Sequence, residues 1–300
     1  MGLTTVEGRN HDGAIGGHDA FGDSPRQTRQ SGQMQGGFSV SSVTQRAGVA
    51  VGVGVGMALW AHLVLADGPQ VLTWSVDGDT RQAIVYTPSV KTTGQSPLVL
   101  SFHGRGDNMK NFQVTDVHRA WPEAIVAYFQ GLPGSRDGVS GWQVEPGQDH
   151  DRDLRLVDAA LASLQQRFNV DEKRIYSTGF SNGAIFTYLL WSERPDVFAA
   201  FAPVAGRLRP TMTLKRPKPV IHVAGKADRV IAFAAQSEAI EATRRADGVT
   251  DAGTPCGSGC TIYGADSATP VVTWIHLGGH EYPEGTSERI VRFFQEHPQR

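Results

Sequence analysis

The sequence predicts an α/β domain: a mostly parallel central sheet with helices on both faces and no large lid. Three observations lead there. Apolar runs of strand length alternate with helical stretches over most of the chain, the pattern of a sheet covered on both sides. Two runs between residues 71 and 88 alternate apolar and polar positions, as a half-exposed antiparallel edge does. One run passes from strand through Gly179-Phe180-Ser181-Asn182-Gly183 straight into the helix-forming AIFTYLLW, a strand, a tight turn around a serine, and a helix.

In chain order, VLTWSV and RQAIVYTP form the antiparallel edge. LVLSF, AIVAYFQ, RIYSTGF, FAAFAPVAG, PVIHVAG and VVTWIHL follow as buried strands, separated by helical stretches that include 153–167 and 233–246. SERIVRFFQEH, with apolar residues at helical spacing, closes the fold. Between Gly206 and Pro219 lie about a dozen residues, too few and too proline-rich for a helical lid. The groove is therefore expected to be open.

A serine at a strand-to-helix elbow is what nucleophilic acyl transfer requires, because the turn lifts Oγ out of the sheet and glycines two residues to either side let the backbones close. A serine hydroxyl needs a base, and the base an orienting group. In this architecture they follow in the order Ser, Asp, His, on loops after later strands. The loop after PVIHVAG presents Asp228, and Gly278-Gly279-His280 after VVTWIHL presents His280. Asp228 has the alternative of capping the helix that starts near Ala232, whereas His280 between glycines and a proline belongs to a surface loop. His222 and His276, inside apolar strands, read as satisfied interior histidines.

An oxyanion hole completes the set. Backbone N–H groups after the first buried strand and after the nucleophile point to Arg105 and Asn182, with Gly104 as the alternative in the first loop. His103, Trp142 and Tyr282 are candidate substrate contacts. Against this, His103 has the alternative of bracing its loop and Trp142 that of core packing.

Together LVLSFHG, GWQV, GFSNGA, FAAFAPVAG, GKADRV and GGHEYP resemble the secreted polyhydroxybutyrate-depolymerase-type esterases, a family that includes feruloyl esterases. The resemblance covers roughly residues 70–297. It implies an alpha/beta-hydrolase fold, hydrolysis of carboxylic esters without a cofactor, and a triad of Ser181, Asp228 and His280. Two departures bear on substrate: Arg105 stands where many relatives have cysteine, and Tyr282 where many have tryptophan.

The motifs interlock from His103 to His280, so residues 67–300 are expected to form one catalytic domain. A net charge of −2 makes no electrostatic case for nucleic acid or anionic membrane. The expected partner is a small or oligomeric ester. The sequence is silent on oligomeric state. Residues 1–45 lack an apolar pattern able to offset chain entropy and are expected to be a disordered extension. Arg46, an uncharged run of about 15 residues and a small residue before Asp67 make 46–66 a candidate signal peptide. A membrane anchor is the alternative, although it would need about 20 apolar residues. Signal peptides rarely follow so long a polar tail, which makes Met34 a candidate start. Export would place the protein outside the cell or in the periplasm and allow a Cys256–Cys260 disulfide. Asp149-His150-Asp151-Arg152-Asp153 reads as the capped start of a helix rather than a metal site. The chain ends soon after its last helix begins, so no polymer-binding module is expected there. Two other readings of the same residues are a serine peptidase and a catalytically silent binding protein; a metal-dependent hydrolase would need the acidic run.

Overall fold

β1 (Gln70–Val76) pairs antiparallel with β2 (Asp79–Tyr86). Its side chains alternate as the sequence does: Leu72, Trp74 and Val76 are buried while Val71, Thr73 and Ser75 face solvent. There follow β3 (Ser96–Phe102), the one-turn helices α1 (Met109–Phe112) and α2 (Val117–Ala120), β4 (Ile125–Phe129), and the short pair β5 (Leu132–Pro133) and β6 (Ser140–Gly141). Next come α3 (Arg152–Arg167), β7 (Val170–Phe180), α4 (Asn182–Glu193), β8 (Ala200–Val204), β9 (Val220–Gly225) and α5 (Phe233–Ala246). β10 (Thr254–Gly257), β11 (Cys260–Tyr263), β12 (Val271–His276) and α6 (Thr286–Glu296) complete the chain. The computed structural model describes residues 68–90, 93–135 and 137–299, which belong to one unit spanning Leu63–Arg300. The extension over 1–45, the leader over 46–66 and the start at Met34 lie outside the described residues.

The main sheet has ten strands in the order β1-β2-β4-β3-β7-β8-β9-β12-β11-β10. From β4 through β12 neighbours run parallel, and both edges are antiparallel. Residues of β3 alternate between two cores: Leu98, Leu100 and Phe102 pack with α3 and α4, and Val99 packs with α1, α2 and α6. Parallel strands put the loops after β3, β7, β9 and β12 on one edge of the sheet, where open α/β sheets bind ligands. Among the described residues the segment from Gly206 to Pro219 holds no helix, as its prolines dictate, and no helix is long and apolar enough to cross a membrane.

The expected Cys256–Cys260 disulfide is formed. The structure departs from the sequence reading at three places. The disulfide joins an unforeseen hairpin of β10 and β11; its strands are short and wholly or partly exposed, so they carry no periodicity. The acidic run does not cap α3. Asp149, His150 and Asp151 take φ of 48°, 56° and 58°, the helix begins at Arg152 without a side-chain cap, and Asp153 turns into the core. His276 is half-buried at the end of β12 rather than interior, its Nδ1 accepting the Gly278 N–H at 3.2 Å. Among the described residues no group of His, Cys, Asp and Glu is arranged to hold a metal ion.

Asp247, just past α5, accepts the Lys218 N–H on Oδ1 at 2.8 Å. Its Oδ2 is buried without a partner. Burial pushes its carboxyl up to about 8, above the unfolded value of about 3.9. Its contribution to stability is thus complete at low pH and lost as pH rises through about 8. Asp247→Asn keeps the acceptor for Lys218 and cannot ionise. It is expected to raise Tm by several degrees at about pH 9 and by little at about pH 4. Thermal melts at the two pH values check this, and equal shifts would refute it.

Candidate active site

Backbone sterics place the serine. Ser181 takes φ 56° and ψ −114°, a conformation that a non-glycine residue keeps only where its surroundings impose it. A Cβ at Gly179 would lie 2.5 Å from the Gly183 carbonyl, and one at Gly183 would lie 2.1 Å from the Phe102 carbonyl oxygen. β3, β7 and α4 therefore close on one another only with glycine at both positions. Ser181 then stands at the start of α4, on the wall of a cavity.

His280 Nε2 lies 2.8 Å from Ser181 Oγ, and His280 Nδ1 lies 2.7 Å from Asp228 Oδ2. Asp228 is held from several sides: Oδ1 accepts the N–H groups of Val230 at 2.8 Å and Ile231 at 2.9 Å, and Oδ2 also accepts the Gln236 amide at 2.9 Å. α5 begins at Phe233 with no side-chain cap. The Asp228 carboxylate instead ties down the turn before α5 and receives His280 at the same time. A carboxylate facing Nδ1 keeps the proton on that nitrogen and leaves the Nε2 lone pair towards Ser181. The Phe180 ring packs 4.9 Å from the His280 ring and limits its rotation.

The backbone N–H groups of Arg105 and Asn182 have no protein acceptor among the described residues, and both residues line the cavity beside Ser181. The loop that carries Arg105 is braced. Gly106 donates to Ser140 O at 2.7 Å, and Trp142 Nε1 donates to His103 O at 2.9 Å. The Asn182 side chain grips Trp142 at two points, Oδ1 accepting its N–H at 2.7 Å and Nδ2 donating to its carbonyl at 3.1 Å. One residue thus offers a free N–H and fixes the opposite loop. Sequence reasoning found the N–H and missed the grip, since nothing in the spacing pairs positions 142 and 182.

Of the three candidate substrate contacts, Trp142 reaches the cavity. It is 4% exposed and packs against Phe102 and Phe186 while contributing to the lining, so core packing is its main role. His103 and Tyr282 do not line it. His103 is fully buried, its Nε2 accepts the Gly131 N–H at 2.9 Å, and burial pushes its pKa down; the ring braces the loop. The Tyr282 ring packs on Phe112 and Phe180, with its hydroxyl 2.9 Å from Ser287 Oγ. Its side chain is occupied in joining the histidine loop to α6.

The cavity measures about 740 Å³ and has an apolar lining from Phe180, Ile185, Val230 and Ile231 and a charged one from Arg105, Asp137, Glu145, Asp149, Arg152 and Arg209. The charges are paired, Arg105 with Asp137 and Arg209 with Glu145, and Arg152 Nη2 stands 4.0 Å from Asp149. Sequence gave no sign of Arg209, which comes from the loop after β8. Behind this wall a fully buried pair, Arg81 Nη2 and Asp153 Oδ1 at 2.6 Å, anchors the Trp142 loop: Asp153 Oδ2 accepts the Gln143 N–H at 2.7 Å, and Gln143 Oε1 accepts the Asp153 N–H at 3.1 Å.

Strand order and the serine elbow at the sheet edge are those of the alpha/beta-hydrolase fold. Solved structures of that fold superpose on it, among them an acetyl xylan esterase from Aspergillus awamori, with a TM-score of 0.57 at 14% identity over 76% of this chain and 99% of that one. Residues 142–251 match the model of the dienelactone hydrolase family. By sequence the chain is 33% identical over 157 residues to the bifunctional acetylxylan esterase/xylanase XynS20E of Neocallimastix patriciarum, covering 52% of this chain and 22% of the relative. It is 29% identical over 234 residues to the putative esterase NocK of Nocardia uniformis subsp. tsuyamanensis, covering 63% and 66%. It is 28% identical to feruloyl esterase B of Piromyces equi over 51% and 30%. The chain thus spans between 22% and 66% of the length of these curated relatives. It is similar in sequence to esterases and shares the alpha/beta-hydrolase fold.

Proposed function

We propose that the chain is a serine carboxylesterase working through a Ser181–His280–Asp228 triad and an acyl-enzyme. The observation that carries the reading is the pair of hydrogen bonds at 2.8 and 2.7 Å that link the three side chains on the cavity wall. His280 Nε2 takes the Ser181 proton as Oγ adds to the ester carbonyl carbon. The Arg105 and Asn182 N–H groups meet the oxygen as it becomes an anion. His280 then returns the proton to the departing alcohol oxygen as the C–O bond breaks. Water adds to the acyl carbon with its proton passing to His280, and the acid leaves as Ser181 is reprotonated. Asp228 keeps the imidazole in the required tautomer and stabilises its charged form.

The substrate class is soluble or oligomeric esters of acetyl, feruloyl or hydroxyalkanoate type. Two relatives bear acetylxylan esterase and feruloyl esterase in their names. The charged lining supports compact acyl groups, since a long alkyl chain laid over it would strip water from ion pairs without replacing it. We further propose that the protein works outside the cytoplasm, a reading supported by the basic flank at Arg46, the apolar run after it and the disulfide on the exposed β10–β11 hairpin.

The test is initial-rate hydrolysis of p-nitrophenyl acetate, butyrate and octanoate and of methyl ferulate, with a peptide p-nitroanilide series alongside. Acetate, butyrate or ferulate is expected to exceed octanoate by about tenfold or more in kcat/KM. Turnover of the anilides with none of the esters would overturn the reading.

A further inference from the structure

Asp228 Oδ2 has a second donor that the acyl-transfer steps leave unused. Gln236 on α5 is fully buried and gives its amide Nε2 to Asp228 Oδ2 at 2.9 Å and to Ile231 O at 2.8 Å. With both N–H bonds committed, the orientation of the amide is set. Its Oε1 is buried and carries no hydrogen bond. A second orphan lies on β9: fully buried His222 has Nδ1 2.6 Å from the Tyr188 hydroxyl on α4, and its Nε2 is likewise without a partner. Burial pushes the Tyr188 pKa up, so Tyr188 remains a phenol and donates to Nδ1. That leaves the His222 proton on Nε2. One orphan is then an N–H donor and the other a carbonyl acceptor, and buried groups of that kind are paired in folded proteins. Burial holds His222 down to about 4, and the Gln236 side chain acts in the opposite direction, favouring the charged form.

We propose that Tyr188, His222 and Gln236 form a positioning relay for Asp228, closed by a hydrogen bond from His222 Nε2–H to Gln236 Oε1. It rests on the triad reading and adds what keeps the acid in place. A flipped Gln236 amide would turn its oxygen on the carboxylate; His222 prevents the flip by occupying that oxygen. The relay ties α4, whose first turn follows Ser181, to the loop that carries Asp228. Of the titratable groups around that carboxylate, His280 touches it, Tyr188 and His222 belong to the relay, and Lys226 and Arg229 beside it in sequence are exposed.

The test compares wild type with Gln236→Leu, His222→Phe and the double variant, with Gln236→Met as a second substitution should the leucine fail to fold. Gln236→Leu is expected to lower kcat about 10- to 100-fold, the rate equivalent of one hydrogen bond to a charged group, with KM within about twofold. A carboxylate that has lost a donor holds the His280 proton more strongly, so the acid limb of kcat/KM should move up by about half a pH unit or more. The low-field proton resonance of His280 Nδ1–H, identified by its loss in His280→Ala, should shift with it. His222→Phe should act in the same direction, and the double variant should be no worse than Gln236→Leu alone. Additive losses, or a fall in kcat with the pH limb and the resonance unmoved, would overturn the relay. A wild type inactive on every ester would defeat the esterase reading, and the resonance would still report on the relay.

Discussion

Replacing Ser181 by alanine is expected to lower kcat/KM for ester hydrolysis by about four to six orders of magnitude while leaving Tm within about a degree. The chemical loss is complete, since no other hydroxyl stands within hydrogen-bond reach of His280 Nε2 among the described residues. The structural loss is small. Ser181 Oγ has His280 as its hydrogen-bond partner, and alanine pays the same backbone strain at φ 56° that serine does. His280→Ala should fall to a similar rate, and the double variant no further, because the two groups act in one step. Whatever rate remains belongs to the N–H groups of Arg105 and Asn182 and to the cavity. p-Nitrophenyl butyrate turnover beside a thermal melt makes the measurement. Activity above about 1% of wild type in Ser181→Ala would remove the residue from the mechanism.

Most strands of the sheet core were legible because they are short apolar runs with turn residues at their ends, whereas β7 begins at Val170, ahead of the expected RIYSTGF, through the charged stretch Asp171-Glu172-Lys173. β9 spans Val220–Gly225 against an expected 219–225, and α5 matches its expected 233–246. The residues brought together at the serine were legible for a different reason: each sits just past a strand, and a parallel sheet gathers such positions at one edge. What the sequence hid depends on contacts between distant positions. Asn182 with Trp142, Arg81 with Asp153, and Gln236 with Asp228 are polar pairs that no spacing in the sequence joins, even where one member was already singled out. The acidic run misled because an aspartate before a helix is usually a cap. Here Arg81, from β2, outcompetes the N-terminus of α3 for Asp153, and Asp151 goes to Gln143 Nε2 at 2.8 Å. Tyr282 misled as a substrate contact, since proximity to a motif in sequence placed it near the site but its hydroxyl is taken by Ser287; His103 takes the loop-bracing role that its sequence context also offered.

The Arg81–Asp153 pair offers the other large effect, and it separates stability from catalysis. Both side chains have no exposure, so Asp153→Ala would leave a guanidinium buried without its counter-charge, with Arg81 Nη1 retaining only the Arg152 carbonyl at 3.2 Å. Breaking such a pair from one side costs about 3–5 kcal/mol, which in a domain of this size lowers Tm by about 10 °C or more. Removing both charges is another matter, since a well-packed apolar replacement of a buried pair is often neutral or stabilising. Arg81→Met with Asp153→Leu is therefore expected to recover most of the lost Tm. It should not recover the rate. Asp153 Oδ2 also accepts the Gln143 N–H, and that bond sets the loop whose Trp142 is gripped by Asn182 and in turn holds the His103 carbonyl. Leucine cannot supply the acceptor, so the loop bearing Arg105 loses part of its bracing and kcat should stay about tenfold or more below wild type, the rate equivalent of one buried hydrogen bond. Melting curves and kcat for the single and double variants decide it. A double variant restored in both Tm and kcat would mean that the pair serves stability alone and that the loop is held by Asn182 without help.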